Sequence, residues 1–181
     1  MFGSVLGLAR AFPLITIVAP LLCYFLTNEV DLLLLSVTLL LNDGLNHFLK
    51  YSIMRPIMGN KKYGIFGSGA RPNGAKDCGL FVGCKDPLSK KESYGMPSGH
   101  SQNIMLFSTY AILTLMKGDH TDTTKKIGYV LFTSLAIGIM YSRVYLKCHT
   151  VQQVIVGGLL GLILGYIYFH KKDEIKKKLK I

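Results

Sequence analysis

Residues 151–169 read VQQVIVGGLLGLILGYIYF, a run without a charged side chain. A helix needs roughly 20 mostly apolar residues to cross the hydrocarbon core of a membrane, so this run predicts a membrane-spanning helix. Four similar runs lie at residues 5–26, 32–53, 99–116 and 127–146. Half of the 181 residues are hydrophobic, and with the runs this composition excludes an ordinary soluble domain. The sequence predicts an all-α integral membrane bundle of about five transmembrane helices.

Length and composition predict a single membrane domain over residues 1–170 and a basic tail over 171–181. The first run could also be a signal peptide, because Arg10 stands near its start. However, Pro13 and Pro20 lie inside the run and no small-residue cleavage motif follows it. We therefore expect a retained helix.

The formal net charge of +11 is concentrated in the tail and in the segment from Lys50 to Lys91. A lysine-rich tail beside a membrane helix indicates the cytosolic side. With five spans, the loop at 54–95 then faces the lumen or the exterior. Its Gly, Lys and Pro content indicates turns. Cys78 and Cys84 in this loop could form a disulfide in an oxidising lumen, and the sequence leaves that open.

Residues 96–100 read MPSGH, at the border of the third apolar run. Ser98 is a good helix cap after a proline, and Gly99 lets the backbone approach a ligand closely. The free amides and the dipole at a helix start favour an anion such as phosphate. His100 would lie beside that anion, where a histidine suits proton transfer. A plain cap with an interfacial histidine is the alternative for this motif alone.

Residues 142–149 read SRVYLKCH, between the fourth and fifth runs. Arg143 can hold phosphate oxygens with two parallel hydrogen bonds, and His149 can attack phosphorus to give a phosphohistidine. Anchoring at the membrane interface is the alternative for each. Threading five spans puts both residues on the same side as Lys50 and His100. This convergence favours one phosphate-handling site over separate interfacial residues.

These motifs resemble those of the type 2 phosphatidic acid phosphatase superfamily, which are Lys-x6-Arg-Pro, Pro-Ser-Gly-His and Ser-Arg-x5-His-x3-Asp. The second is unbroken at 97–100, and the third is present at 142–149 with Gln153 where the family has Asp. The first is altered, because Arg55 follows Lys50 after only four residues.

A second Arg-Pro pair at Arg71 could fill the first-motif role after a longer excursion. Pro56 disfavours helical geometry at Arg55, so we expect the chain to turn there and Arg55 to swing back toward the phosphate. The sequence therefore favours Arg55, with Arg71 as a second phosphate ligand for a diphosphate substrate.

Within the superfamily the chain is most similar to the dolichyldiphosphatases, through YGMPSGHSQ at 94–102 and YSRVYL at 141–146 before His149 and Thr150. Those enzymes also carry Gln at the position of Gln153. The resemblance implies a membrane phosphatase that needs no metal and no cofactor.

The resemblance also implies a role for each residue. His149 would be the nucleophile, Gln153 would orient its other ring nitrogen, and His100 would protonate the leaving oxygen. Asp43 and His47, one helical turn apart, could support the site or form a merely buried polar pair. The phosphoryl oxygens would be held by cationic side chains and by the start of the third helix: Lys50, Arg55, Arg71, Arg143, Ser98 and Gly99.

The leading hypothesis is a phosphatase of the endoplasmic reticulum or a related membrane, acting on a lipid phosphate whose tail lies in the bilayer. Polyprenyl (dolichyl) diphosphate ranks ahead of phosphatidate or another lipid phosphate. A non-catalytic lipid-phosphate binder and a transferase of phosphoryl headgroups are the alternatives. A vanadate haloperoxidase shares the motifs, but five spans argue against it. The substrate lipid and the membrane are the expected partners, and no motif indicates nucleic acid.

Overall fold

The computed structural model describes residues 2–59, 68–73, 75, 78 and 94–180, with side chains from residue 7 onward. Within these ranges every regular element is helical, so the predicted all-α bundle is confirmed. A π-helical turn and a short helix continue the second long helix. The elements are α1 Phe2–Thr27, α2 Val30–Phe48, the π-helix Leu49–Met54, α3 Arg55–Met58, α4 Gly99–Lys117, α5 Asp122–Tyr145 and α6 Val151–Leu179.

Four helical stretches of the described chain are long and apolar enough to cross a membrane: Gly7–Thr27, Val30–Met58, Asp122–Tyr145 and Val151–Leu179. The fifth long helix, α4, coincides with the predicted third span but has a polar first half.

Helix α4 is the centre of the bundle, because α1, α2, α5 and α6 all pack on it. Its polar side chains Ser101, Gln102, Asn103 and Ser108 are buried in the protein. The polar first half of α4 is thus shielded from lipid, where unpaired polar groups would be costly.

Three glycines on one face of α6 bring its backbone against that of α4. A side-chain carbon added at Gly157, Gly161 or Gly165 would overlap the carbonyl of Ser98, Gln102 or Leu106, respectively. Small residues at this spacing let membrane helices approach closely. The residue numbers increase along both helices in the same direction from one contact to the next. Helices α4 and α6 therefore run parallel and begin at the same end of the bundle. His100 and His149, which stand at those two beginnings, are therefore brought to one end.

Helix α2 does not end where the sequence predicts. The expected turn at Arg55 is wrong, because Arg55 has right-handed helical geometry and α3 continues to Met58. The N–H of Arg55 bonds to the carbonyl of Lys50, a π-type bond that widens the turn. A wider turn relieves the clash that Pro56 would otherwise make with the preceding turn.

The predicted basic tail is the end of α6. Lys171 and Lys178 pair with Glu174 at helical spacing, and such pairs support a helix. Lys172 and Lys176 both bind Asp31 at the start of α2. These ion pairs lie at the opposite end of the bundle from His149.

Candidate active site

A cavity of about 240 Å³ opens at the end of the bundle where α4 and α6 begin. It is lined mainly by charged and polar side chains, contributed by α1, the α2–π-helix segment, residues 71 and 78, α4 and the turn before α6. The lining residues are Arg10, Pro13, Asp43, Asn46, Lys50, Arg71, Cys78, Gly99, His100 and His149. The structure thus brings Lys50, Arg71, Gly99, His100 and His149 to one pocket.

His149 is held by the turn between α5 and α6. The carbonyl of Arg143 accepts hydrogen bonds from the N–H groups of Cys148 (3.0 Å) and His149 (3.1 Å). Thr150 caps α6, and its side chain and that of Gln153 bond reciprocally to each other's backbone N–H. This capping box fixes Gln153 beside the histidine ring.

The hydrogen-bond partners of His149 determine which ring nitrogen carries the hydrogen. Gln153 Nε2 donates to the carbonyls of Ser68 (2.6 Å) and Ala70 (2.8 Å), so its Oε1 faces His149 Nδ1 at 3.2 Å. Nδ1 must therefore carry the hydrogen. Nε2 lies 3.3 Å from Arg71 Nη1, which can only donate, so Nε2 is unprotonated.

Electrostatics keep the His149 ring neutral. Complete burial lowers its pKa well below the ordinary value, and the nearby charges of Arg71, Lys50 and Arg143 lower the pKa further. A neutral imidazole with an unprotonated Nε2 is the form that can attack phosphorus, once a phosphate oxygen takes over the Arg71 hydrogen bond.

Arg143 is fully buried and lies behind the pocket, outside its lining, in contact with the lining residue Cys78. Its Nη2 donates to the carbonyl of Cys78 at 2.9 Å. Its Nε and Nη1 atoms have no hydrogen-bond partner in the described part of the chain. A buried guanidinium with open donors is costly, and a phosphate oxygen would satisfy them.

His100 lies in the first turn of α4. Its Nε2 is 3.0 Å from the carbonyl of Arg10 and donates to it, which leaves Nδ1 as the nitrogen able to face a substrate. Ser98 is the cap of α4, and its hydroxyl accepts from Ser101. Ser98 is therefore a structural cap outside the pocket lining, whereas Gly99 lies in that lining.

The two Arg-Pro pairs lie in different places. Arg55 is exposed on α3, away from the pocket lining. Arg71 lines the pocket and donates to the carbonyl of Cys148 at 2.7 Å. The preference for Arg55 depended on the turn at that residue, and the continuous helix removes its basis.

A disulfide links Cys78 to Cys148, 70 residues apart in sequence. Cys84 lies outside the described residues, and the suggested Cys78–Cys84 pair is replaced by this one. The bond ties Cys78, seven residues after Arg71, to the residue preceding His149.

Sequence reasoning missed Arg10 as a pocket residue. The available signal was a charge inside an apolar run, which marks a functional position by default. It also left open the pair on α2, which the structure separates: Asp43 lines the pocket, whereas the His47 ring lies 4.6 Å from that of Tyr51. Among the described residues, no three His, Cys, Asp or Glu side chains are grouped to hold a metal ion.

Comparisons with known proteins match most of this chain. A family model described as the PAP2 superfamily matches residues 31–177. Dolichyldiphosphatase 1 of Rhinolophus ferrumequinum is 29% identical in an alignment of 181 residues. This alignment covers 96% of this chain and 66% of that protein. The Dictyostelium discoideum protein of the same name is 39% identical over 83 residues, covering 44% of this chain and 36% of its own length.

Lipid phosphate phosphatase gamma of Arabidopsis thaliana is 32% identical over 149 residues, which cover 81% of this chain and 55% of that protein. The chain therefore spans 36 to 66% of the length of these three relatives. No solved structure matches it.

Proposed function

Because this chain belongs to the PAP2 superfamily, we propose that it is an integral membrane phosphatase that acts on a lipid phosphate or diphosphate through a phosphohistidine. The observation that carries the proposal is His149, whose Nδ1 is held by Gln153 while its unprotonated Nε2 lies beside Arg71 in a cationic pocket. Polyprenyl diphosphate ranks first as the substrate and phosphatidate or another lipid phosphate second. The similar proteins are named a dolichyldiphosphatase and a lipid phosphate phosphatase.

In the first step, His149 Nε2 attacks phosphorus. A P–N bond forms while the P–O bond to the leaving group breaks, and the electron pair goes to the leaving oxygen. His100 gives that oxygen a proton. Lys50, Arg71 and Arg143 neutralise the charge on the other phosphoryl oxygens, which is the main demand of phosphoryl transfer.

In the second step, water cleaves the phosphohistidine. His100 is neutral after giving up its proton in the first step. It takes a proton from the water while the water oxygen bonds to phosphorus. The P–N bond breaks and its electron pair returns to His149 Nε2. In both steps the Gln153 side-chain carbonyl accepts a hydrogen bond from His149 Nδ1. The dipole of this carbonyl supports the positive charge that the ring acquires.

The site is proposed to face the lumen or the exterior. A disulfide beside the pocket persists in an oxidising compartment. The lysine-rich end of α6 lies at the other end of the bundle, which suits the cytosolic side. A substrate with its tail in the bilayer would reach a pocket at this end of the bundle directly from the membrane.

The test is phosphate release by purified protein in detergent from dolichyl diphosphate, dolichyl phosphate and phosphatidate, each with EDTA present. We expect the diphosphate to be the best substrate. His149→Ala should lower kcat by about a thousandfold or more. His120→Ala is the matched control, because His120 is exposed in the loop between α4 and α5. It should leave the rates unchanged.

Two outcomes would contradict the proposal. One is a His149→Ala protein that retains near-normal phosphate release. The other is a wild-type protein that binds these lipids but releases no phosphate, which would identify a non-catalytic binder.

A further inference from the structure

Arg10 is a charged residue near the start of the first membrane-spanning stretch, and it lines the pocket. Its Nε atom is buried and has no hydrogen-bond partner among the residues that the structure describes. The residue as a whole is half-buried, but a buried guanidinium nitrogen without a partner is costly, and a phosphate oxygen would satisfy it. The family match begins at residue 31, so Arg10 lies outside it.

Polar contacts fix the position of Arg10 against α4. The Arg10 carbonyl accepts from His100 Nε2 at 3.0 Å. Two turns along α1, the Thr16 hydroxyl bonds to Asn103 Oδ1 at 2.6 Å. These contacts set the register of α1 on α4, so the location of Arg10 follows from the fold.

Arg10 and His100 are neighbours in the pocket lining, and the Arg10 backbone carbonyl bonds to the His100 ring. The proton donor must lie beside the leaving oxygen, so the leaving group is on the side of His100 and Arg10. Arg71, by contrast, contacts the nucleophile His149. The two arginines therefore serve different parts of a substrate.

The charge of the pocket exceeds the need of a single phosphate. Lys50, Arg71 and Arg10 line it, Arg143 is buried beside it, and Asp43 is the one carboxylate among its described lining residues. A lipid diphosphate carries more negative charge than a lipid monophosphate and fits this excess better.

We infer that Arg10 binds the leaving phosphate of a lipid diphosphate and thereby favours diphosphate over monophosphate substrates, an inference that rests on the proposed function. Attack by His149 Nε2 on the terminal phosphorus breaks its bond to the bridging oxygen. The electron pair stays on that oxygen, which departs with the lipid monophosphate. Arg10 neutralises this departing charge, and His100 supplies the proton. A monophosphate releases an uncharged alcohol, on which Arg10 has nothing to bind.

The experiment compares an isoprenyl diphosphate with the monophosphate of the same tail. Arg10→Met should lower kcat/KM for the diphosphate by about tenfold to a hundredfold and leave the monophosphate value within about threefold. Arg10→Lys should recover part of the loss. Lys126→Met, which removes an exposed lysine at the other end of the bundle, should change neither value. Because His100 bonds to the backbone of Arg10, the substitution leaves that bond in place.

An equal loss on both substrates, or no loss on either, would overturn the inference. A wild-type protein inactive on both would instead sink the proposed function, and binding would then decide the role of Arg10. Inorganic pyrophosphate should bind Arg10→Met more weakly than wild type, whereas orthophosphate should bind both alike. Equal pyrophosphate affinity would overturn the inference in that case.

Discussion

The substitution Gln153→Glu separates two roles of one side chain. Gln153 Oε1 accepts from His149 Nδ1, while Nε2 donates to the carbonyls of Ser68 at 2.6 Å and Ala70 at 2.8 Å. A glutamate keeps the acceptor for the histidine but replaces the donor by a second acceptor. The two carbonyls would then face a carboxylate oxygen.

The loss can be sized from these bonds. A buried acceptor deprived of its donor costs about 1–3 kcal/mol, so two carbonyls give roughly 2–6 kcal/mol of lost stability. Arg71 directly follows Ala70, so a loosened 68–70 segment also withdraws Arg71 from the phosphate. Losing one charge-assisted contact of about 1.5–3 kcal/mol lowers kcat/KM roughly tenfold to a hundredfold.

A carboxylate supports an imidazolium better than an amide does, so a view limited to His149 predicts a gain from Gln153→Glu. The whole set of contacts predicts a loss. The assay is melting temperature in detergent together with kcat/KM on a lipid diphosphate. Gln153→Met, which removes donor and acceptor together, should lose at least as much as Gln153→Glu. A Gln153→Glu protein with wild-type melting and equal or higher kcat/KM would refute the reasoning.

Three further results are expected. Arg71→Ala should lower kcat/KM in the phosphate-release assay about a hundredfold, and Arg55→Ala should stay within about threefold of wild type; the reverse order would restore the sequence-based preference. Reduction of the Cys78–Cys148 bond should raise KM, because it frees the loop that carries Arg71; an unchanged KM with dithiothreitol, once mass spectrometry shows free thiols, would contradict this. Burial and neighbouring cations hold the pKa of His149 well below 6.5, so His149 should stay unprotonated and kcat/KM should persist as the pH falls through 6.5. A loss of kcat/KM with a midpoint at pH 6.5 would contradict the lowered pKa.

The helices could be predicted because hydrophobic length is a local property of the chain. The runs at 5–26, 32–53, 127–146 and 151–169 all became long helices. The end of α2 was not predictable in the same way. Pro56 normally disfavours helix at the preceding residue, and only the π-type bond from Arg55 to Lys50 lets the helix continue.

The site could be predicted where its chemistry lies in contiguous motifs. His100 and His149 stand at the starts of two helices, and the parallel packing of α4 and α6 brings them to the same pocket. The places of Arg71, Cys148 and Arg10 in the site depend on tertiary contacts instead. Arg71 is held in the pocket by its bond to the Cys148 carbonyl, close to the Cys78–Cys148 disulfide, and no spacing in the sequence encodes these contacts.

The most direct test of the central claim is to trap the covalent intermediate. Purified protein is mixed with a lipid diphosphate, quenched in alkali, which preserves phosphohistidine, and analysed by peptide mass spectrometry. We predict phosphate on His149 of the wild-type protein, and none in that peptide from His149→Ala. Phosphate on another residue, or rapid turnover with no phosphate on His149 at any quench time, would contradict the claim.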